Sequence, residues 1–518
     1  MTQTAEPVVV DAGIDRRRAT LIGAVAAFAG LATAELFGLV LPGRPSPVTF
    51  VADRIIAGMP DGPRETLIGA VGTLDKPLLV AGIVLAVIIG GGVIGRVSAG
   101  RQSWAPWLFT AGGALGLLVA WNGTSADILG LLIVVAVGVT VACLAWTRLM
   151  PTPTTAETSG AMVDRRTVLR AAGFLGLASA AALGVVTVAR RGSTAAVDAV
   201  RTTLKIPVPT DPAKTLSAGI TPDVPGIAPA ITPAEDFYQI DVSLTPPSID
   251  VATWALTIDG RVDKPITLSY NDLLAMPSIE RYVTLTCVSN DVGGDLVGTA
   301  KWQGVRLTDL LAKVGVHADA TMVLGRSVDG FTVGFPRAVL DDGRDAMVVY
   351  AMNGEPLPVK HGFPVRMVVP GLYGYVSATK WIEQIKLTTP DEDIPFWFSR
   401  GWSDDGTIES ASRIDVPRDG TPAKAGTVAV GGRAWHQHTG VGSVEVRVDG
   451  GAWEKATLAD AIGVDTWRLW SWEWPATPGQ HTLTVRMHDI DGTPQSDVER
   501  PTFPGASSGL HSIVVNVA

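Results

Sequence analysis

Tyr282-Val-Thr-Leu-Thr-Cys287-Val-Ser-Asn290-Asp-Val-Gly-Gly294-Asp295 is the stretch on which the reading of this chain turns. Residues 282–286 are β-branched, aromatic or apolar, the composition of a buried strand, and a Gly-bearing loop follows at once. A cysteine at that junction can be presented to a cavity. Cys287 is one of only two cysteines, the other being Cys143, so a disulfide framework is excluded. Two readings remain for the thiol by itself: a buried apolar group, or a soft metal ligand.

Further along, Pro358-Val-Lys-His361-Gly-Phe-Pro364-Val-Arg366-Met-Val-Val-Pro370-Gly-Leu-Tyr373-Gly374 runs into Ser377-Ala-Thr379-Lys380-Trp381. An Arg and a Lys on strands and Gly-bearing turns can converge on a phosphorylated ligand, the Arg forking two oxygens and the Lys acting as a point charge. Scattered solvated charges are the competing reading. Around these motifs, strands are expected over 254–258, 282–288, 322–325, 346–352 and 365–369. Helical turns fit 269–274, with Ser269 as cap, and 307–314. Residues 236–391 therefore read as an α+β domain.

Residues 392–518 read as all β. Val444–Val448 alternates, Asp449-Gly450-Gly451 turns, and 453–458 returns as a hairpin. Trp470, Trp472 and Trp474 share one strand face, as do Leu483, Val485 and Met487. An immunoglobulin-like sandwich follows, with the indoles in its core.

The first 191 residues are different. The chain of 518 residues is only 18% charged with mean hydropathy +0.29, and the apolar content is concentrated here. Five runs, 19–41, 77–94, 104–121, 126–146 and 168–189, are long enough to span a bilayer as helices. Arginines 16–18, then 96 and 101, then 148, 165 and 166 fall on one side if the N-terminus is cytoplasmic, which places everything after residue 191 outside. Asp164-Arg165-Arg166 before the fifth run looks like a twin-arginine export signal. Glu35 inside the first run is a functional candidate because an ionisable group there is costly. Residues 192–235 hold seven prolines between Pro207 and Pro233 and read as a semi-rigid spacer. All seven histidines follow the last run, which excludes a bis-histidine transmembrane haem. The net charge of −9 argues against nucleic-acid binding.

From Asp236 to the end the sequence resembles the sulfite oxidase family of molybdopterin enzymes. The resemblance rests on ordered motifs: Asp236-Phe-Tyr238, Leu285-Thr-Cys287 through Asn290, Trp302-Gln-Gly-Val-Arg-Leu307, Tyr350-Ala-Met-Asn353-Gly354, the 361–380 stretch and Trp435. It implies a molybdenum–molybdopterin cofactor with Cys287 as thiolate ligand. It also implies that Tyr238, Gln239, Ser327, His361, Arg366, Thr379 and Lys380 hold the pterin, that Tyr350 and Arg337 are active-site residues, and that the C-terminal domain is of the family's dimerisation type. The expected partners are a small-molecule substrate, a cytochrome or quinone-linked electron acceptor, and lipid. The family's sulfite oxidases line an anion pocket with arginines. Here Gln239, Asp291 and Val292, and His436-Gln-His438 stand at those places, which disfavours sulfite because a desolvated dianion needs positive partners. His436 and His438 alone are too few for a separate metal site. The expectation is a membrane-anchored extracytoplasmic enzyme of two-electron oxo transfer. The rivals are a sulfoxide reductase-type enzyme and a cofactor-free surface module that keeps the fold.

Overall fold

The computed structural model describes residues 16–41, 46–58, 75–120, 128–150 and 165–518. Two compact units emerge, 1–193 with 242–244, and 194–241 with 245–518. Asp164, Arg44, Arg64 and Trp121 lie outside the described residues.

The first unit is helical: α1 (Arg16–Gly38), α2 (Pro47–Gly58), α3 (Asp75–Val97), α4 (Trp104–Ala120), α5 (Ile128–Leu149) and α6 (Arg165–Thr203). Four of them, α1, α3, α5 and α6, are long and apolar enough to cross a membrane. The third of the five expected runs forms the 17-residue α4, at the short limit for a span. Small residues set the packing. A Cβ on Gly23 would strike Gly91 and Gly95 of α3, and one on Gly30 would strike Gly138 of α5, so glycine lets α1 approach both backbones. Glu35 is buried and engaged: its carboxylate accepts from Ser46 Oγ (2.8 Å) and from Val48 N (2.9 Å) at the start of α2, with Arg190 Nη2 at 3.5 Å. Those bonds satisfy a helix start and account for its burial.

The second unit begins inside α6. The Pro-rich stretch that reads as a spacer lies, after Thr203, along this unit. Thr210 N donates to Ser278 O, Thr232 N to Thr299 O, and Ala230 is core. Extended proline-rich backbone has few internal hydrogen bonds, so neighbouring strands and loops supply partners.

One five-stranded sheet has the order β2 (Ile266–Ser269), β1 (Ala255–Gly260), β10 (Ile382–Thr388), β5 (Met322–Ser327), β6 (Thr332–Pro336). The other runs β3 (Ile279–Thr286), β4 (Val297–Arg306), β7 (Met347–Met352), β8 (Glu355–Pro356), with β9 (Arg366–Val368) also on β7. Helix α7 (Tyr270–Leu274) starts at Ser269 through a capping box with Asp272, and α8 (Leu307–Val314) buries Leu307, Leu310, Leu311 and Val314, its i, i+3, i+4, i+7 face. The one-turn α9 is Gly374–Ser377.

Two further sheets form the C-terminal sandwich. One is β11 (Ala411–Val416), β13 (Gly426–Trp435), β17 (Arg468–Ala476), β16 (Thr457–Leu458). The other is β12 (Pro422–Ala423), β19 (Ser512–Val517), β18 (Gly479–Asp489), β14 (Val441–Val448), β15 (Glu454–Lys455). Trp470, Trp472 and Trp474 from one sheet meet Leu483, Val485 and Met487 from the other in a single core, as strand alternation requires. Trp435, Trp467 and Leu469 instead join the core of the α+β region, which ties the two β-rich parts together.

Candidate active site

Cys287 follows the last residue of β3. Its N–H donates to Leu296 O (2.9 Å), and Asn290 closes the intervening loop, its N–H donating to Cys287 O (3.1 Å) while its Oδ1 accepts from Leu296 N (2.8 Å). Gly293, at φ +79°, makes the turn. The thiol is thereby buried and oriented by a rigid hairpin end.

Phe237 anchors the segment opposite. It is buried, stacks on Tyr238 (5.2 Å) and meets Trp302 and His361 edge-on (5.7 and 5.6 Å). A Cβ on Gly298 would collide with the Phe237 ring, so a glycine in β4 makes this packing possible. Tyr238 is held above the ordinary tyrosine range by burial first and then by the Cys287 sulfur, with Arg366 opposing. It stays a phenol.

His361 is fully buried. Its Nε2 lies 2.7 Å from Ala234 O, an atom that can only accept, so Nε2 carries the proton and Nδ1 is left a lone-pair acceptor. Nδ1 is buried with no partner among the described residues. Burial pushes this imidazole down to about 3, helped by the Lys380, Arg366 and Lys360 charges.

Arg366 on β9 is also buried. Nη1 donates to His361 O (3.2 Å), the guanidinium lies 5.1 Å from the Trp302 ring, and Nε has no partner among the described residues. Burial lowers it to about 10. A buried guanidinium whose bonds within the protein go to a carbonyl is short of an anion. Gly362, at φ +110°, stands where a Cβ would press on Arg366 and Lys380, and so lets the turn close around both.

Thr379 is fully buried with Oγ1 unpartnered, and Gly325 of β5 makes the room beside it. Ser327 ends β5. Its Oγ lies near the Asp329 carboxylate without hydrogen-bond geometry. Lys380 is engaged, its Nζ 2.6 Å from Asp241 Oδ1. Gln239 is exposed and donates to the other oxygen of Asp241 (2.8 Å).

Two nominated residues lie elsewhere. Tyr350 is fully buried, but its hydroxyl sits with Gln303 Nε2 (3.5 Å) and Ser278. Arg337 follows β6, donates from Nε to Ala320 O (3.0 Å), and faces Asp341 at 4.0 Å. Their described partners do not include Cys287. Tyr373, like Tyr238, lies close enough to Cys287 for the cysteine's charge to act on it. It is buried, accepts from Glu409 N (3.4 Å), and is held above its usual range by burial and by the charges of Glu409 and Cys287. Tyr373 lies inside the Pro370–Gly374 motif, so the signal was present, but a tyrosine between glycines carries no chemistry until the fold places it.

Next to Thr286, at the end of β3, is a cavity of about 20 Å³ lined by Thr286, Asn290, Asp291, Tyr373, Glu409 and Trp435 among others, with no basic residue among the described residues of its lining. That is room for one water or little more. A larger cleft of about 350 Å³ reaches Tyr238 and Gln239 and is walled by Arg413, Arg433, Asp236 and Asp295. Both arginines are tied to Asp415, at 2.7 and 2.5 Å. Sequence reasoning missed this pair, which comes from two sandwich strands, although Arg433 stands two residues before Trp435. Gln437 is buried and donates to Thr284 O and Thr286 Oγ1, while its Oε1 has no partner. His436 and His438 face Asp489 (3.7 Å) and Asp465 (3.1 Å) respectively.

The deficits are mutually consistent. A buried acceptor at His361, a buried cation at Arg366, an unpaired hydroxyl at Thr379 and a buried thiol fit a phosphorylated heterocycle that carries a soft metal.

Comparison with known proteins agrees. Residues 243–396 match the oxidoreductase molybdopterin binding domain, and residues 412–485 match a bacterial Ig domain. The chain is 39% identical over 156 residues to the uncharacterized oxidoreductase YuiH of Bacillus subtilis (strain 168), covering 30% of this chain and 74% of that protein. It is 32% identical over 309 residues to mitochondrial sulfite oxidase of Macaca fascicularis, covering 50% of this chain and 56% of that enzyme. It thus spans about half the length of such curated relatives. The sulfane dehydrogenase SoxCD of Paracoccus pantotrophus shares the fold, with a TM-score of 0.50 at 21% identity over 56% of this chain and 82% of that one.

Proposed function

Because this chain belongs to the sulfite oxidase family of molybdopterin-dependent oxidoreductases, we propose that it is a membrane-anchored, extracytoplasmic enzyme of two-electron oxo transfer on a small substrate other than a dianionic oxyanion. The molybdenum–molybdopterin group supplies the redox chemistry when bound. The chain's residues hold and orient it. Cys287 is its thiolate ligand, Arg366 takes the phosphate, His361 Nδ1 accepts from a ring N–H, and Thr379, Ser327 and Tyr238 complete the cradle. Lys380 acts through Asp241, and Gln239 braces the same carboxylate.

The observation that carries the cofactor assignment is the set of buried polar atoms left without partners on His361, Arg366 and Thr379. A module without cofactor would lose stability at each, since an unmet buried group costs about 1–3 kcal/mol. That is why the binding-module reading is set aside.

The substrate reading rests on the charges around the openings near the end of β3. The water-sized cavity next to Thr286 is lined by Asp291 and by Glu409, which pairs with Arg500, with no basic residue among its described lining residues. The arginines of the wider cleft are already matched by Asp415 and accompanied by Asp236 and Asp295. Neither opening has the positive surplus that a desolvated dianion requires. Tyr373 and Tyr238 remain neutral phenols and serve as donors to a substrate oxygen.

Anchoring rests on the four long apolar helices, with α4 as a fifth, short crossing. Five crossings with a cytoplasmic N-terminus put the catalytic unit outside, the side indicated by the arginine-rich loops. The test is a substrate screen on detergent-extracted full chain, with neutral sulfides and amines against sulfite in the oxidising direction and sulfoxides and N-oxides in the reducing one. Turnover is expected with a neutral or cationic compound. Sulfite as the best substrate would overturn the reading.

A further inference from the structure

We propose that the arginine-rich end of the helical unit holds a site for a phosphate group, that of an anionic phospholipid headgroup, with one edge of the Arg18 guanidinium and the Ser98 hydroxyl as its donors. The inference goes beyond the proposed reaction and rests on the reading of this unit as membrane-spanning.

Arg18 lies in the first turn of α1. Its Nε and Nη2 are closed to solvent and have no partner among the described residues. These two nitrogens form one edge of the guanidinium, the fork whose parallel N–H groups match two oxygens of a single phosphate. Ser98 opens a 3₁₀ turn, Ser98–Gly100, directly after α3. It is fully buried, and its Oγ also has no partner among the described residues. The packing of α1 on α3 brings the two residues to the same end of the pair. A Cβ on Gly95 of α3 would strike Ala19 O. Ala19, next to Arg18, shares a small core with Ala99, next to Ser98, and with Ile22, Trp146 and Met150. The turn is fixed by Arg101 N donating to Ser98 O (3.1 Å) and Trp146 Nε1 donating to Gln102 O (3.3 Å).

Buried donors gathered at one end without an acceptor call for an anion. The adjoining chain does not supply one. Residues 16–20, 96–104 and 146–150 contain no Asp or Glu, and they carry five further arginines beside Arg18. One of these, Arg101, lies 4.9 Å over the Trp104 ring. Arginines that only set topology need charge and water but no pocket, and Arg96 and Arg148 are exposed in that way. Arg18 differs, because its fork is closed off from water. A phosphodiester is the anion that a bilayer offers at the depth of a helix end, and basic pockets between spanning helices on the cytoplasmic side take such headgroups. The surplus of cations favours a lipid of net negative charge over a zwitterionic one.

The test uses full-length protein in detergent, stripped of lipid. The probes are dioctanoyl phosphatidylglycerol, dioctanoyl phosphatidylcholine and inorganic phosphate, with binding read by calorimetry. Wild type should bind phosphatidylglycerol more tightly than phosphatidylcholine, and equimolar inorganic phosphate should not displace it. Arg18→Lys keeps the charge but loses the fork, and should raise Kd about tenfold. Ser98→Ala removes one donor and should raise it about fivefold. Arg96→Lys, at an exposed position of the same end, should leave Kd unchanged. No binding of phosphatidylglycerol, equal binding of phosphatidylcholine, or equal effects of Arg18→Lys and Arg96→Lys overturns the site. Displacement by equimolar phosphate assigns it to a soluble anion and overturns the headgroup. If Arg18→Lys does not fold, Ser98→Ala with unchanged Kd still overturns the donor set. Binding is read without turnover and without a bilayer. An inactive chain, or a topology reporter that refutes the crossings, would therefore sink the proposed function and leave this result standing.

Discussion

Strand β7 and the 361–380 stretch lie in the same α+β region and bury polar side chains to the same depth, yet they treat them oppositely. Tyr350 on β7 finds Ser278 and Gln303 within the protein. His361, Arg366 and Thr379 each keep a buried atom without a partner among the described residues. Both sets were nominated by sequence. Burial alone does not separate a structural polar group from a binding one; three unmet groups gathered in one stretch, each at a cost of about 1–3 kcal/mol, point to a ligand, whereas isolated ones such as Trp402 Nε1 and Gln437 Oε1 do not.

The largest expected effect tests the unsatisfied side at its reactive end. Cys287→Ser should retain the fold, since the thiol is a small group at a loop, and should abolish both turnover and the thiolate-to-metal absorption band. Near wild-type turnover would remove the ligand assignment.

Arg366→Met comes next and separates the two roles sharply. In the cofactor-free protein, replacing a buried unpaired charge by an apolar chain of similar length should leave stability unchanged or raise it, by about 1 kcal/mol or more. Molybdenum content should fall strongly in the same variant. Lower cofactor-free stability, read from denaturant midpoints, would mean that Arg366 is structural.

A tyrosine pair sharpens the contrast further. Tyr373→Phe should lower kcat with little change in stability, while Tyr350→Phe should cost about 1 kcal/mol of stability, the worth of a buried hydrogen bond, with activity kept. The reverse pattern in steady-state kinetics would restore Tyr350 to the active site.

The smallest effect is in pH. His361 is near 6.5 when unfolded and about 3 in the fold, so between those values the unfolded chain binds more protons. Stability from this group is therefore full above pH 6.5 and is lost as pH falls toward 3. His361→Gln keeps a donor for Ala234 O but does not titrate. Its stability should decline less than wild type across that window, and parallel curves would contradict the assignment.

Local chemistry made much of this legible. Ser269 with Asp272, the apolar period of 307–314 and the alternation at Trp470–Trp474 each specify an element without outside help. Tertiary context decided the rest. The prolines of 207–233 look like a spacer because nothing in them forms an element, and the unit supplies their partners. The run at 104–121 reads as a full span, yet the helix is 17 residues long. Tyr350 and Tyr373 are both plausible phenols in sequence, and only the fold brings Tyr373 to Cys287. Arg413 and Arg433 reach the cleft from sandwich strands, a convergence no linear motif encodes.

The cradle of His361, Arg366 and Thr379 is proposed to hold molybdenum–molybdopterin. Metal analysis of purified full-length protein tests it most directly, with Arg366→Met measured alongside. About one molybdenum per wild-type chain is expected and a strong loss in the variant, with the circular dichroism of the folded chain retained. Wild-type protein from a molybdenum-replete host that carries no molybdenum, or a variant that keeps its full complement, would contradict it.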